Sequence, residues 1–369
     1  MASLLYHLTN QLSTAIIPGM HEHWITYDEI SLIPTQVSTL EHRAEADTSV
    51  QFGPFKLSVP IIAAPMPDVS NGEMATRLRD LGSLGWIHRF QTFSDQMKEL
   101  HGNRDDPFWD AKRIGVGIPL TQVPTIGALY DNGIRIFCLD TANGASENVH
   151  RALGILKGGY PDIFIVAGNV ASRETFLKLE EWGADAIRVG IAGGSVCETR
   201  TETGIYSPMA SVILDITDPK LRGVRNEFGM IEWPASNVIQ VPNPKRKALL
   251  IADGGIRTPA DMCKALALGA DVVMMGGALA GTKESPGPVI KVDGKKYKRL
   301  AGAASYITQK ENTGEEPSYV EGAETLVEYR GSVGEVVTRF AAGLRSSMSY
   351  MNARTLTEYR KNVKIVRVS

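Results

Sequence analysis

A parallel eight-stranded β/α barrel is the fold class this sequence predicts. Eight short apolar runs rich in Val and Ile, stretches of helical spacing between them, and polar or glycine residues at the ends of the runs predict it together. In chain order the runs are IIAAPM (61–66), GWIHRF (85–90), RIGVGI (113–118), IRIFCLD (134–140), DIFIVAGN (162–169), AIRVGI (186–191), ALLIADGG (248–255) and DVVMMGG (271–277). Runs apolar on both faces suit parallel strands buried under helices. ASRETFLKLEEWGA (171–184) after the fifth run and TPADMCKALALGA (258–270) after the seventh have helical spacing. Eight β-then-α units favour a (β/α)8 TIM barrel over a doubly wound sheet, and residues 1–369 are expected to form one catalytic domain. In such a barrel the chemistry sits on the loops that follow the strands. Asp140, Asn169, the 190–204 loop, Asp253-Gly254-Gly255 and Gly276-Gly277 stand in those places.

Composition narrows the function classes. The 369 residues are 43% hydrophobic and 22% charged, which is the balance of a globular protein with room for a large core. A formal net charge of -2 gives no general attraction to nucleic acid or to an anionic membrane, and Lys245-Arg246-Lys247 is too short to change that. No apolar stretch reaches the roughly 18 residues of a membrane span, and no basic-then-apolar leader is present, so a cytoplasmic location is expected. Cys138, Cys197 and Cys263 lack metal-ligand spacing; neither a disulfide framework nor a zinc site is expected.

Cys138 falls in a strand run and Cys263 in a helical pattern, where cysteine acts as a small hydrophobe. Cys197 differs, because it follows the sixth strand in the glycine-rich stretch RVGIAGGSVCETRTETG (188–204), on the face where a thiolate can serve as a nucleophile. A structural loop cysteine is the alternative. The glycines of ADGG (252–255) and MGG (275–277) can offer backbone N–H groups to a phosphate, with the Ser195 hydroxyl beside them; the plainer reading is tight βα turns. Asp253 suits a ribose diol, and Asp140 suits a second nucleotide or a helix N-cap.

Several separate motifs then carry a resemblance. GIAGGSVCETRTETG, IADGGIR (251–257), VMMGGALAGTKES (273–285), DGKKYK (293–298), WITYDEISLIP (24–34) and AGLRSSMSYMNARTLTEY (342–359) resemble the inosine-monophosphate dehydrogenase and guanosine-monophosphate reductase family, from about residue 24 to the C-terminus. The resemblance implies a TIM barrel, tetrameric as a rule, in which a loop cysteine attacks purine C2 and a nicotinamide cofactor exchanges a hydride there. It implies Cys197 as nucleophile and Thr199 as the group handling the leaving amine or water. Ser195, Gly255, Gly276 and Gly277 match the phosphate pocket, Asp253 the ribose ligand, Glu321 the acid at the base edge and Met66 the methionine near the purine. Asp140 and Asn169 match the cofactor side, and Arg188 a basic position beside the catalytic loop. A monovalent cation such as K+ at Gly190, Gly194 and Cys197 belongs to the same expectation.

Departures from the family pattern bear on the reaction. FQTFSDQMKELHGNRDDPFWDAK (90–112) fills the gap where the dehydrogenases usually carry a CBS module, so no regulatory domain is expected. The flap, about 302–328, holds no arginine between Gly302 and Glu321, whereas the dehydrogenases use a flap arginine to activate water. The reductases follow GMSS with a glutamate; here GAASY (302–306) puts Tyr306 there, with Glu311, Glu315 and Glu316 as candidate substitutes. Ala192 replaces a loop glycine, Glu198 adjoins the cysteine, and about 216–245 is an unusual insertion. The leading expectation is NADPH-dependent conversion of GMP to IMP and ammonia by a homotetramer. The alternatives are NAD-dependent oxidation of IMP, a nucleotide-binding protein with little turnover, and an FMN-dependent barrel.

Overall fold

The computed structural model describes residues 24–102, 110–217, 238–239 and 246–368. Its centre is a parallel sheet of eight strands: β1 (Ile61–Ala63), β2 (Trp86–Ile87), β3 (Gly115–Ile118), β4 (Ile136–Asp140), β5 (Phe164–Val170), β6 (Ala186–Val189), β7 (Leu249–Asp253) and β8 (Val272–Met275). All eight arise from the eight apolar runs, with β5 reaching one residue further. They pair in the order β1-β8-β7-β6-β5-β4-β3-β2. A parallel bridge between Ile62 and Leu84, with Ala63 N donating to Leu84 O at 2.9 Å, joins β1 to the chain entering β2 and closes the barrel. Trp86, Phe137, Ile187, Ile251 and Val273 are completely buried, as strands covered on both faces require.

Eight helices follow the strands in alternation: α1 (Gly72–Asp80), α2 (Phe93–Gly102), α3 (Gly127–Asp131), α4 (Glu147–Gly159), α5 (Arg173–Glu181), α6 (Met209–Thr217), α7 (Pro259–Ala267) and α8 (Val333–Tyr350). The helical stretches 171–184 and 258–270 become α5 and α7. Side chains at the N-caps fix where several begin. Asn71, Ser146, Ser172 and Thr258 each accept from the backbone N–H three residues on, which satisfies a donor the helix itself leaves unpaired. Pro259 at the first turn of α7 adds a preset φ.

Between β8 and α8 the chain leaves the barrel and builds the flap. Strands Ile290–Val292, Lys295–Ala301 and Glu324–Glu328 form an antiparallel sheet, with a helix, Tyr306–Thr313, between the second and third. Asp68 on the loop after β1 anchors its base, accepting from Ala301 N at 2.8 Å and from Arg299 Nη2 at 3.1 Å. A second small sheet pairs Ile30–Ile33 with Lys364–Arg367, to which Val238–Ile239 adds a third strand. Of the 216–245 insertion, residues 216–217 belong to the end of α6, and residues 218–237 and 240–245 lie outside the described residues. The connection from β2 to β3 holds α2 and no further folded module among its described residues. No described helix is long and apolar enough to cross a membrane.

Candidate active site

Five strand ends place a polar and charged network across the barrel mouth. Arg188, on β6, donates through Nε and Nη2 to Asp253 Oδ2 at 3.0 and 2.9 Å, and its Nη1 pairs with Asp140 Oδ1. Asn169 Nδ2 donates to the same Asp253 oxygen at 2.7 Å and to Gly190 O at 2.8 Å. Arg89 Nε completes the row on Asp140 Oδ2 at 2.9 Å. Burial pushes the Asp140 carboxyl up, but Arg188 and Arg89 together outweigh it and leave the group below its ordinary range. Burial likewise opposes the Arg188 charge, and Asp253, Asp140 and Cys138 overcome it, so the guanidinium stays fully protonated. Gly168 makes room for this arrangement: a Cβ there would lie 2.6 Å from Arg188 Cβ.

The network settles what Asp140 and Asp253 do at this level. Neither caps a helix, since Ser146 and Thr258 take those places. Every hydrogen bond to Asp253 from the described residues falls on Oδ2, and Oδ1 has none. Asn169 spends both amide hydrogens, which leaves its Oδ1 as an acceptor. Acceptors of this kind suit the hydroxyls and carboxamide of a nicotinamide nucleotide, and the residues on this side fit that group.

The loops after β1, β6, β7 and β8 also meet one another. Gly255 N donates to Gly193 O at 3.0 Å, tying the loops after β6 and β7 together. A Cβ on Gly277 would stand 3.2 Å from Ser195 Oγ, and one on Gly276 would stand 3.8 Å from Met66 Sδ. Ser195, Gly255, Gly276, Gly277 and Met66 are thus gathered where these loops meet. Gly190 must be glycine, because at its φ of 133° a Cβ would strike Asp253 O at 2.2 Å. Ala192 occupies the left-handed region at φ 58°, which explains why a glycine suits that position. Of the candidate cation carbonyls, Gly190 O accepts from Asn169 and Gly194 O from Cys197 N at 3.2 Å.

Cys197 is half-buried, and its Sγ donates to Thr199 Oγ1 at 3.2 Å. Cys138 and Cys263 are buried in β4 and α7. The flap meets the Cys197 segment by backbone pairing: Cys197 bridges Gly322, Glu198 N donates to Glu321 O at 2.8 Å, and Ala323 N donates to Val196 O at 2.9 Å. Gly322 also bridges Ser305, and Glu321 N donates to Ala304 O at 3.1 Å. Glu321 is therefore adjacent to the thiol loop.

A family model described as the IMP dehydrogenase / GMP reductase domain matches residues 24–369. The chain belongs to this family. A GMP reductase of Staphylococcus carnosus is 32% identical over 337 residues, covering 91% of this chain and 94% of its own. A GMP reductase of Lactobacillus johnsonii is 33% identical over 340 residues, covering 90% and 92%. An inosine-5'-monophosphate dehydrogenase of Borreliella burgdorferi is 28% identical over 403 residues, covering 94% of each. The IMP dehydrogenase / GMP reductase family consists of oxidoreductases that act with purine nucleotides and nicotinamide cofactors. Two groups in this member's network escaped the sequence reading, Arg89 and its neighbour His88. Both lie in the run GWIHRF directly after β2, the position at which barrel strands deliver functional side chains.

Proposed function

We propose that this chain reductively deaminates GMP: GMP, NADPH and two protons give IMP, NADP+ and ammonium. The observation that carries the reading is the Cys197–Thr199 hydrogen bond at 3.2 Å beneath a flap with no arginine between Gly302 and Glu321. A dehydrogenase must deprotonate water in the closed site; a reductase must exclude water and protonate an amine. The hydroxyl beside the thiol serves the second task, and the stretch from Gly302 to Glu321 supplies no guanidine for the first.

In this reading the Gly255, Gly276 and Gly277 backbone and the Ser195 hydroxyl hold the 5′-phosphate, Asp253 Oδ1 accepts from the ribose, and Met66 and Glu321 bound the base. Cys197 attacks C2 as a thiolate, and the C2–N bond breaks with its electron pair on nitrogen, which Thr199 helps to protonate. NADPH, bound along Asp140 and Asn169, supplies the hydride that C2 then requires. Arg188 holds the Asp140 and Asp253 carboxylates apart and charged while the ring is reduced. The C2–S bond then breaks, returning the thiolate and releasing IMP. A homotetramer and a monovalent cation at the Gly190, Gly194 and Cys197 carbonyls belong to the same proposal.

The test follows reduced nicotinamide by absorbance with each purine nucleotide in turn. GMP should drive NADPH oxidation with one ammonia released per turnover. Formation of xanthosine monophosphate from IMP and NAD faster than GMP reduction would overturn the reading in favour of the dehydrogenase direction that the Borreliella burgdorferi relative is named for.

A further inference from the structure

The motif WITYDEISLIP (24–34) lies far in sequence from the loops at the barrel mouth, and the fold packs it against one of them. Ile25 is clamped through both backbone groups: its N–H donates to Ser211 Oγ at 2.6 Å, and its carbonyl accepts from Ser211 N at 3.1 Å, which fastens the segment to the first turn of α6. Thr26 opens a single 3-10 turn, Tyr27–Glu29, in which Glu29 Oε2 accepts from Thr26 N at 2.8 Å and from Thr26 Oγ1 at 3.0 Å. Lys264 Nζ, from α7, donates to Tyr27 O at 2.8 Å. Both α6 and α7 thus fix where the Tyr27 ring sits.

The ring is buried and meets the turn that follows β7. A Cβ on Gly255 would stand 3.3 Å from Tyr27 Cε2, 3.4 Å from Cδ2 and 3.9 Å from Met209 Cγ. Met209 also lies under Gly190, where a Cβ would stand 2.7 Å from its Sδ and 2.2 Å from Asp253 O. Tyr27 and Met209 therefore form one apolar bed for Gly190, Asp253 and Gly255. The turn needs such a bed, because Gly254 and Gly255, at φ 128° and 73°, have no side chains of their own to restrain the backbone. Its neighbour Gly193, whose Cα a Cβ on Gly254 would approach to 3.0 Å, is itself a glycine. The rigid partner is the aromatic ring. Tyr27 Oη has no hydrogen-bond partner among the described residues, so the ring rather than the hydroxyl carries the contact.

We propose that Tyr27 is a positioning residue for the nucleotide: with Met209 it fixes the Gly254-Gly255 turn, and through that turn the Asp253 carboxylate and the backbone that hold the ribose and the 5′-phosphate. Tyr27 touches no ligand in this role. The inference rests on the ribose and phosphate roles within the reductase reading and is independent of the direction of the reaction. It places the N-terminal motif in the service of the substrate pocket.

The experiment measures dissociation constants by calorimetry on the full chain for GMP, for IMP, and for NADPH with IMP saturating, in the wild type, Tyr27→Leu, Tyr27→Phe and Met209→Ala. Tyr27→Leu should raise the constants for GMP and IMP together by about 10-fold, the effect of loosening one charge-assisted hydrogen bond, because the ribose phosphate is common to both. NADPH should bind as it does to the wild type, since Asp140 and Asn169 stand on other strands. Tyr27→Phe keeps the ring, drops only the unpaired hydroxyl, and should bind all three as the wild type does. Met209→Ala should repeat the loss for GMP and IMP, and it decides the matter should Tyr27→Leu fail to fold. Wild-type affinity for GMP and IMP in Tyr27→Leu overturns the role, as does equal weakening of NADPH, a loss confined to one nucleotide, or a Tyr27→Phe protein as weak as Tyr27→Leu. A wild type that binds neither GMP nor IMP overturns the nucleotide reading itself, and the role of Tyr27 falls with it.

Discussion

Three thiols in one chain differ in what surrounds them, and that difference makes reactivity a property of position. Burial pushes Cys138 up to about 12, with Arg188 opposing it only in part, and burial pushes Cys263 up to about 11. Cys197 stands half-buried on a loop, its sulfur on the Thr199 hydroxyl. Iodoacetamide at pH 8 should therefore add one group per folded chain, on Cys197, and GMP should protect it; peptide mapping that finds Cys138 modified first would contradict the placement. Cys197→Ser should still bind GMP through the phosphate loops, while turnover drops by at least about 10³-fold with the loss of the only good nucleophile. The position of Cys197 was legible because a thiol in a glycine-rich loop after a barrel strand is an uncommon choice. Arg89 was not legible, because its partner Asp140 lies 51 residues away and nothing local in either segment announces the pair.

At the scale of elements, the barrel strands and the flap were legible to different degrees for one reason. A strand buried on both faces is a continuous apolar run, and all eight were visible as such. The flap strands Lys295–Ala301 and Glu324–Glu328 carry charged, exposed residues and gain their order from pairing with each other and from Asp68. Their strongest local signal is Asp293-Gly294, whose φ values of 50° and 78° make the tight hairpin turn that Asp-Gly favours. The contact of flap and thiol loop depends on Gly322. A Cβ there would lie 2.7 Å from Ser305 N and 3.0 Å from Ala304 C, both backbone atoms that cannot swing aside. Gly322→Ala should accordingly push the 304–305 segment off its pairing with Gly322 and lower kcat by about 10- to 100-fold, the effect of displacing a catalytic segment by about 1 Å. The GMP dissociation constant should change little, since the loops proposed to hold the phosphate lie on the barrel. Unchanged kcat would show that this pairing does not hold the reacting geometry.

For the whole molecule, the barrel mouth that serves the reaction also ties stability to pH. His88 follows β2, accepts from Phe90 N through Nδ1 at 3.2 Å, and is therefore a neutral imidazole with its proton on Nε2. Burial and the neighbouring Arg89 charge lower it from 6.5 to about 4, against a smaller opposing pull from Asp140. The unfolded chain then binds a proton that the folded chain refuses, so His88 contributes its full stability above pH 6.5 and loses it as pH falls toward 4. That linkage amounts to about 2 kcal/mol between pH 7 and pH 5, and about 3 kcal/mol by pH 4. Asp140, held low by its two arginines against burial, acts in the same direction in a separate and lower window, below the ordinary carboxylate range. His88→Gln keeps an acceptor for Phe90 N and removes the titration. In urea unfolding, the wild type should lose about 2 kcal/mol more than His88→Gln between pH 7 and pH 5. Equal losses for the two proteins would mean that the imidazole is open to water in the folded state, and that the mouth of the barrel is wetter than the Arg89–Asp140–Arg188–Asp253 row requires.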